Sequence, residues 1–528
     1  MFLGKSYLRR ECLSKVDLRV RLLTELDFLF VIAYYIKYKN QEVVHLLKKN
    51  EIYRTEIIDY TTEGSGVCKI DGITVFVPSA AVGDIADVKI LKTAKSYAFG
   101  KIESLTKPSV NRLSKDCEVS DKCGGCSFRH ITYSSELQFK QKRVYDALTR
   151  IGGVNGELIG TIIGSEKCNY YRNKAQFPIT NDKNGRLRVG FFAPRSHRVI
   201  STDGCLLQSE IFVKAEKIFL EWAEKYKLLP YDEITHTGLL RHLYLRYAEK
   251  TSQLMVCIVA NADNLKHGNE LVEMLKNNIP ELTTVVLNIN TEKTNVITGK
   301  KCKTLYGDGY ITDELCGLRF RISPLSFYQV NRTQAERLYY LAKEFAALKS
   351  NETLIDMYCG TGTIGLTMAH KVKKLIGVEI VPQAIDDAKK NASYNNITNA
   401  EFICADASAA AAEIAGRGIA PDCIILDPPR KGCDSSLIKT VSDMKPKRVV
   451  YVSCDPATLA RDIKLFSELG YSLQKAIPVD MFPRTPHVET VVLMSRPLTE
   501  HEKYGEYFMN RSVSDIMSEY SEQHDEWH

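Results

Sequence analysis

The chain has 528 residues, 44% of them hydrophobic, with a formal net charge of +7 and fifteen cysteines. That length exceeds a single core and predicts two or three domains of a soluble globular protein, which excludes a small disulfide scaffold or a low-complexity chain. The cysteines lack the spacing of a disulfide framework, and Cys257, Cys404 and Cys423 lie in apolar runs, so a reduced, cytoplasmic compartment is expected.

Residues 1–48 read as an extension of unassigned role. Their apolar run at 28–36 is too short for a bilayer, which needs ~20 residues, and has no signal-peptide cleavage site. From residue 52 the pattern becomes β. Residues 53–61, 66–70, 73–78, 86–91 and 99–105 are strand candidates, and Asp71-Gly72 between apolar runs is a hairpin signal. Five short strands suggest a small barrel of the OB type, assigned to residues 49–107. Residues 89–115 carry seven Lys/Arg (Lys89, Lys92, Lys95, Lys101, Lys107, Arg112, Lys115) against Glu103 alone, or +6, nearly the whole excess. A local field of one sign suits a polyanion; the bland alternative is a solvated face.

Residues 108–330 form the expected central domain, mixed α+β. It opens with a loop dense in Cys and Gly, followed by a helix at 134–150 that Gly152-Gly153 stops. The elements between 170 and 331 show no clean period. Cys117-x5-Cys123-x2-Cys126, with Cys205 as a distant fourth, fits either zinc or a [4Fe–4S] cluster.

After a helix at 335–348, apolar runs of strand length alternate with helix-length segments: 353–358, 374–379, 400–406, 423–427 and 448–454. This alternation predicts an α/β fold with a doubly wound parallel sheet over residues 331–500, and 501–528 reads as a polar tail. The first βα turn carries G-x-G-x-x-G at Gly360, Gly362 and Gly365, with Glu379 ending the next strand; both suit a nicotinamide enzyme as well as a methyltransferase. The later strands separate them. Each strand ends in a usable residue: Asp356, Glu379, Asp406, Asp427, Cys454. Asp427-Pro428-Pro429-Arg430 is a stiffened polar loop suited to presenting a planar base. Cys454, in Ser453-Cys454-Asp455-Pro456, could attack such a base, although a buried structural thiol is the ordinary fate of an intracellular cysteine. Uracil C5 needs a nucleophile at C6 before it will accept a methyl group, then a base for its proton. His487-Val488-Glu489 supplies the base, with Glu489 favoured and His487 in support.

In order along residues 50–497, these motifs and Ser326-Phe327-Tyr328-Gln329-Val330-Asn331 resemble the RNA 5-methyluridine methyltransferases of the RumA/RlmD type. The resemblance implies a Rossmann-like S-adenosylmethionine (SAM) domain with cofactor contacts at Gln329, Tyr358, Glu379 and Asp427. It implies Cys454 as nucleophile, Glu489 as proton acceptor, a [4Fe–4S] cluster on Cys117, Cys123, Cys126 and Cys205, and a TRAM RNA-binding barrel. Because transfer-RNA members resemble only the catalytic part, it points to 23S ribosomal RNA, with no membrane and no obligate protein partner. The competing readings are a transfer-RNA enzyme, an inactive RNA-binding iron–sulfur protein, and a nicotinamide oxidoreductase.

Overall fold

The computed structural model describes residues 47–201 and 204–500, so the 28–36 run and the tail lie outside the described residues. Six strands open the fold: β1 (Ile52–Glu56), β2 (Asp59–Tyr60), β3 (Gly66–Ile70), β4 (Ile73–Val77), β5 (Ile85–Thr93) and β6 (Tyr97–Lys107). Their order is β1-β5-β6-β4-β3-β2. The edge strands are consecutive in the chain, so the sheet curls into a barrel around Cys68, Val75, Val77, Val88 and Ile90. Asp71 and Gly72 both adopt positive φ, +48° and +78°, the twist a two-residue hairpin requires. The run 53–61 is not one strand. Ile57 is fully buried and its amide donates to Asp84 O (2.9 Å), whereas Ile58 donates to Val67 O (2.8 Å). The chain thus changes partners at Ile57.

Next comes α1 (Tyr133–Arg150), capped by Thr132, whose hydroxyl accepts from Ser135 N. Its Val144 and Leu148 belong to the core of the C-terminal sheet, although central elements intervene in sequence. These are β7 (Lys174–Asn181), β8 (Leu187–Phe192), β9 (Val199–Ser201), α2 (Ile211–Lys225), β10 (Leu240–Ala248), β11 (Gln253–Ala260), α3 (Gly268–Asn278), β12 (Leu282–Ile289) and β13 (Lys301–Tyr306). The sheet runs β13-β12-β11-β10-β7-β8-β9. One face is covered by α2 and α3 through Phe212, Phe219, Trp222, Leu271 and Leu275. The other carries buried Tyr244 and Arg246. The hairpin β14 (Ile311–Leu315) and β15 (Leu318–Ile322) leads onward.

The last unit contains α4 (Arg332–Ala346), β16 (Thr353–Met357), α5 (Thr363–Met368), β17 (Lys374–Glu379), α6 (Pro382–Tyr394), β18 (Ala400–Cys404), α7 (Ala407–Gly416), β19 (Cys423–Leu426), α8 (Ser435–Asp443), β20 (Arg448–Ser453), α9 (Pro456–Glu468), β21 (Ser472–Val479) and β22 (Glu489–Ser495). The order is β18-β17-β16-β19-β20-β22-β21, parallel through β20, with β22 antiparallel to both neighbours. Helices α4, α5 and α6 bury one face, and α1, α7, α8 and α9 the other. Strand order reverses between β16 and β19, which opens a crevice at their carboxyl ends. No helix among the described residues is long and apolar enough to cross a membrane.

Candidate functional site

At the end of β16, Asp356 Oδ2 accepts from Gly365 N at 2.8 Å. A Cβ on Gly365 would lie 2.7 Å from that oxygen, so glycine is required for the contact. Asp356 Oδ1 is buried with no partner. Burial raises this carboxyl to about 7, opposed by the Gly365 amide and reinforced by Asp427 and Glu379. Glu379 accepts from Gly360 N (3.2 Å) and Val381 N (2.9 Å), which fastens the glycine turn to β17. Tyr358 takes the left-handed conformation at φ +65°, a strained arrangement typical of functional turns. Asp427 follows β19 across the crevice, and burial pushes it up to about 7. Gln329 lies in a loop held on both sides. Its carbonyl accepts from Asn173 Nδ2 at 2.9 Å, and Ser326 Oγ donates to Asp387 Oδ2 at 2.8 Å.

Cys454 follows β20 and Glu489 begins β22, so the antiparallel neighbour brings a late residue to the parallel strands' carboxyl ends. Asp455 caps α9, accepting from Ala457 N (2.9 Å) and Thr458 N (3.0 Å). Burial pushes the half-buried Cys454 thiol up to about 11, with Glu489 and Asp427 adding and Arg430 opposing. Burial, then Asp427, raises Glu489 to about 8, again against Arg430. His487 goes the other way, down to about 4, by burial and by Arg430 and Arg143; its Nε2 lies 3.5 Å from Arg430 Nη2. Cys454, Glu489, Asp427, Arg430 and His487 therefore share one neighbourhood.

Two supporting groups escaped sequence reasoning. Arg143 of α1 donates to Pro486 O at 2.7 Å and reaches Asp455 Oδ2 at 3.6 Å, linking the loops that carry Cys454 and Glu489. Beneath them Lys140 is fully buried and donates to Glu136 Oε1 (2.7 Å), Asp480 Oδ1 (2.7 Å) and Phe482 O (3.1 Å). Tyr133 OH donates to Asp480 Oδ2 (2.7 Å) and Arg484 N to Glu136 Oε1 (2.7 Å). The signal was present: Glu136, Lys140, Val144 and Leu148 share one helical stripe, and two of the four are charged.

Cys117, Cys123, Cys126 and Cys205 line one cavity of about 460 Å³. A tight turn folds the first two together, with Cys123 N donating to Val119 O at 2.8 Å. Gly125 N donates to Cys123 Sγ at 3.4 Å. Buried Arg129 stands beside Cys126 and opposes the burial that raises that thiol to about 12. Among the described residues no three Cys, His, Asp or Glu are gathered tightly enough to hold a single metal ion.

The barrel's positive stretch is partly spoken for. Arg112 is bound to buried Asp84, Lys101 to Glu103 and Lys115 to Asp121, whereas Lys92 and Lys95 stand exposed. Beside Lys92, which pairs in register with Phe99, the rings of Phe76, Tyr97 and Phe99 cluster on the outer face, with centroids 5.6–5.8 Å apart. No sequence period singled out that trio.

A doubly wound sheet with an acid-rimmed crevice at its switch point, facing a thiol and a carboxylate, is the architecture of a SAM-dependent methyltransferase acting on a planar substrate. Residues 132–497 match the tRNA (Uracil-5-)-methyltransferase family and residues 47–102 the TRAM domain. An uncharacterized RNA methyltransferase of Clostridium tetani is 44% identical over 85% of this chain and 97% of its own. One of Listeria innocua is 45% identical over 85% and 99%. The crystal structure of Pyrococcus abyssi tRNA (uracil-54, C5)-methyltransferase with S-adenosyl-L-homocysteine matches with TM-score 0.67 and 28% identity, covering 84% of this chain and 99% of that one. The chain belongs to the tRNA (Uracil-5-)-methyltransferase family and is a SAM-dependent RNA (uracil-5-)-methyltransferase with a TRAM domain.

Proposed function

We propose that this enzyme methylates carbon 5 of a specific uridine in 23S ribosomal RNA through a covalent adduct with Cys454. The observation that carries the reading is the meeting of Cys454, Glu489, Asp427 and Arg430 above the crevice. The Cys454 thiolate adds to C6, C5 takes the methyl group, Glu489 removes the C5 proton, and elimination returns the thiolate. SAM supplies the methyl group from its sulfonium. Gln329, Tyr358, Glu379 and Asp427 hold it, and the partnerless Asp356 Oδ1 and Asp427 offer acceptors for its cationic and N–H groups. Arg430 and His487 orient the base.

Cys117, Cys123, Cys126 and Cys205 are the ligands of a [4Fe–4S] cluster. Four thiols around an open cavity, an amide donor to sulfur and a buried guanidinium suit a body wider than one ion and negatively charged overall. Free thiols throughout the described chain agree with a reducing cytoplasm. The barrel grips RNA through Lys92 and Lys95, with Phe76, Tyr97 and Phe99 as a surface on which bases stack.

A second reading, transfer RNA as substrate, draws on the likeness to the Pyrococcus transfer-RNA enzyme over 84% of this chain. Mapping 5-methyluridine in ribosomal and transfer RNA from cells with and without this protein separates the two. Loss of a mark in 23S RNA supports the first; loss confined to transfer RNA replaces it with the second.

A further inference from the structure

The cavity lined by the four cysteines does not end with them. It continues past Arg172, Lys174, Gln176 and Gln208 to Arg430 and His487, at the threshold of Cys454. Lys174 and Gln176 line it from β7, while the next residue, Phe177, turns into the core under α2 and α3. No Asp or Glu lines the cavity among the described residues. Arg129 is neutralised by Asp116 at 2.6 Å, but Lys174 has no acidic partner. It pairs across the sheet with Arg246, and burial, with Arg246 and Arg172 adding, holds it down to about 8. Holding Lys174 and Arg172 together on the cavity wall, with Arg246 buried behind them and no counter-charge among the lining residues, costs free energy, and a bound anion offsets that cost. A further group there is unfinished: Gln208 is 6% exposed, and its Oε1 has no donor.

We propose that this chamber receives the nucleotide adjoining the target uridine, with its phosphodiester on Lys174 and Arg172 and a base N–H on Gln208 Oε1. The proposal rests on the reading of this protein as an enzyme of RNA uridine. A flipped base drags its neighbours toward the active site, and a cation at fixed distance from Cys454 sets how far the strand is drawn in. Lys174 is thus a positioning residue for the RNA, and the cavity divides into a cysteine end and a nucleotide end.

The test uses the whole protein and a short RNA containing the uridine that mapping identifies. Lys174→Gln should raise the KM for this RNA about tenfold while kcat stays within about twofold, and Lys174→Arg should restore it. SAM affinity and iron per chain should be unchanged. Neutral methylphosphonate linkages, introduced singly on either side of the uridine, should weaken wild-type binding at one position and cost nothing further there in Lys174→Gln. Iron lost in step with affinity would assign Lys174 to the cysteines and overturn the proposal. So would a Lys174→Gln enzyme that keeps full sensitivity at both linkages. Binding is read separately, by filter retention. If mapping finds no mark of this protein in 23S RNA, weaker retention of RNA by Lys174→Gln than by wild type would still leave the phosphate site standing while the ribosomal assignment falls.

Discussion

Lys140→Met is the sharpest test of how the catalytic segment is held. The wild-type ammonium touches two carboxylates at 2.7 Å and the Phe482 carbonyl at 3.1 Å, and Lys140, Glu136 and Asp480 are all fully buried. Removing one partner of a buried ion pair costs about 3–5 kcal/mol, because the remaining charge is stranded. Residues 479–489 hang on this network through Asp480, Phe482 and Arg484, and they end on Glu489. Amide exchange in that segment, read by mass spectrometry, should therefore accelerate by about two to four powers of ten. The effect is pH-dependent, with a definite sign. Burial raises Glu136 to about 7 even with Lys140 opposing it. Between its unfolded and folded values the native state holds the extra proton, so stability falls as pH rises. Without Lys140 the carboxyl rises further, and the deficit should be larger at about pH 8 than at about pH 5.5. Adding Glu136→Gln and Asp480→Asn should recover most of the protection and the turnover. Acceleration below tenfold in Lys140→Met would refute the account of this network as the segment's anchor.

Cys454→Ala should abolish methyl transfer with SAM affinity within a few-fold, and 5-fluorouridine RNA should trap a covalent complex in wild type only; both are read on denaturing gels. The free enzyme holds Glu489 (about 8) and Cys454 (about 11) protonated at neutral pH, so kcat/KM should climb with pH through about 8. Glu489→Gln should accumulate adduct in place of turnover at every pH. Anaerobically purified protein should carry about four irons per chain, and Cys205→Ser should lose them; one zinc and no colour would remove the cluster. Lys92→Glu with Lys95→Glu should reduce the salt slope of RNA binding by somewhat under ~1 for each phosphate no longer neutralised, and Lys101→Glu, already paired with Glu103, by less. Tyr97→Ala should weaken binding without altering the slope.

The C-terminal sheet was legible because its parallel strands are covered on both faces and read as continuous apolar runs; Cys423–Leu426 is buried at every position. The central sheet was not legible, and β10 shows why. Its sequence Leu-Arg-His-Leu-Tyr-Leu-Arg-Tyr-Ala carries Arg241, His242 and Arg246, yet eight of its nine residues are buried. The cations are buried on backbone carbonyls: Arg246 donates to the Ser323 carbonyl at 3.0 Å and to that of Ser326, and Arg241 to those of Asn290, Glu292 and Thr294 at 2.7–3.1 Å. A strand that buries cations on loop carbonyls shows neither alternation nor an apolar run. Arg112 misled in the opposite way, counted toward a basic surface although it neutralises Asp84 inside the barrel's edge.

The candidate nucleophile, base and cofactor residues could be named because each ends a strand, and strand ends in a doubly wound sheet converge whatever the loops do. Their supports could not, since those depend on chain crossings with no local signature. Arg143 precedes Pro486 by 343 residues. The cysteine loop shows the consequence of such crossings. Directly after Cys126, Ser127 N and Phe128 N both donate to Arg484 O, at 2.8 and 3.2 Å, and Arg484 N binds Glu136 of the buried network. The segment that ends on His487 and Glu489 is therefore pinned from one side by Lys140 and from the other by the cysteine loop. Whatever rigidifies that loop shortens the list of conformations open to the base-bearing segment. The proposed metal centre at the four thiols would thus act on catalysis through position alone, without exchanging an electron.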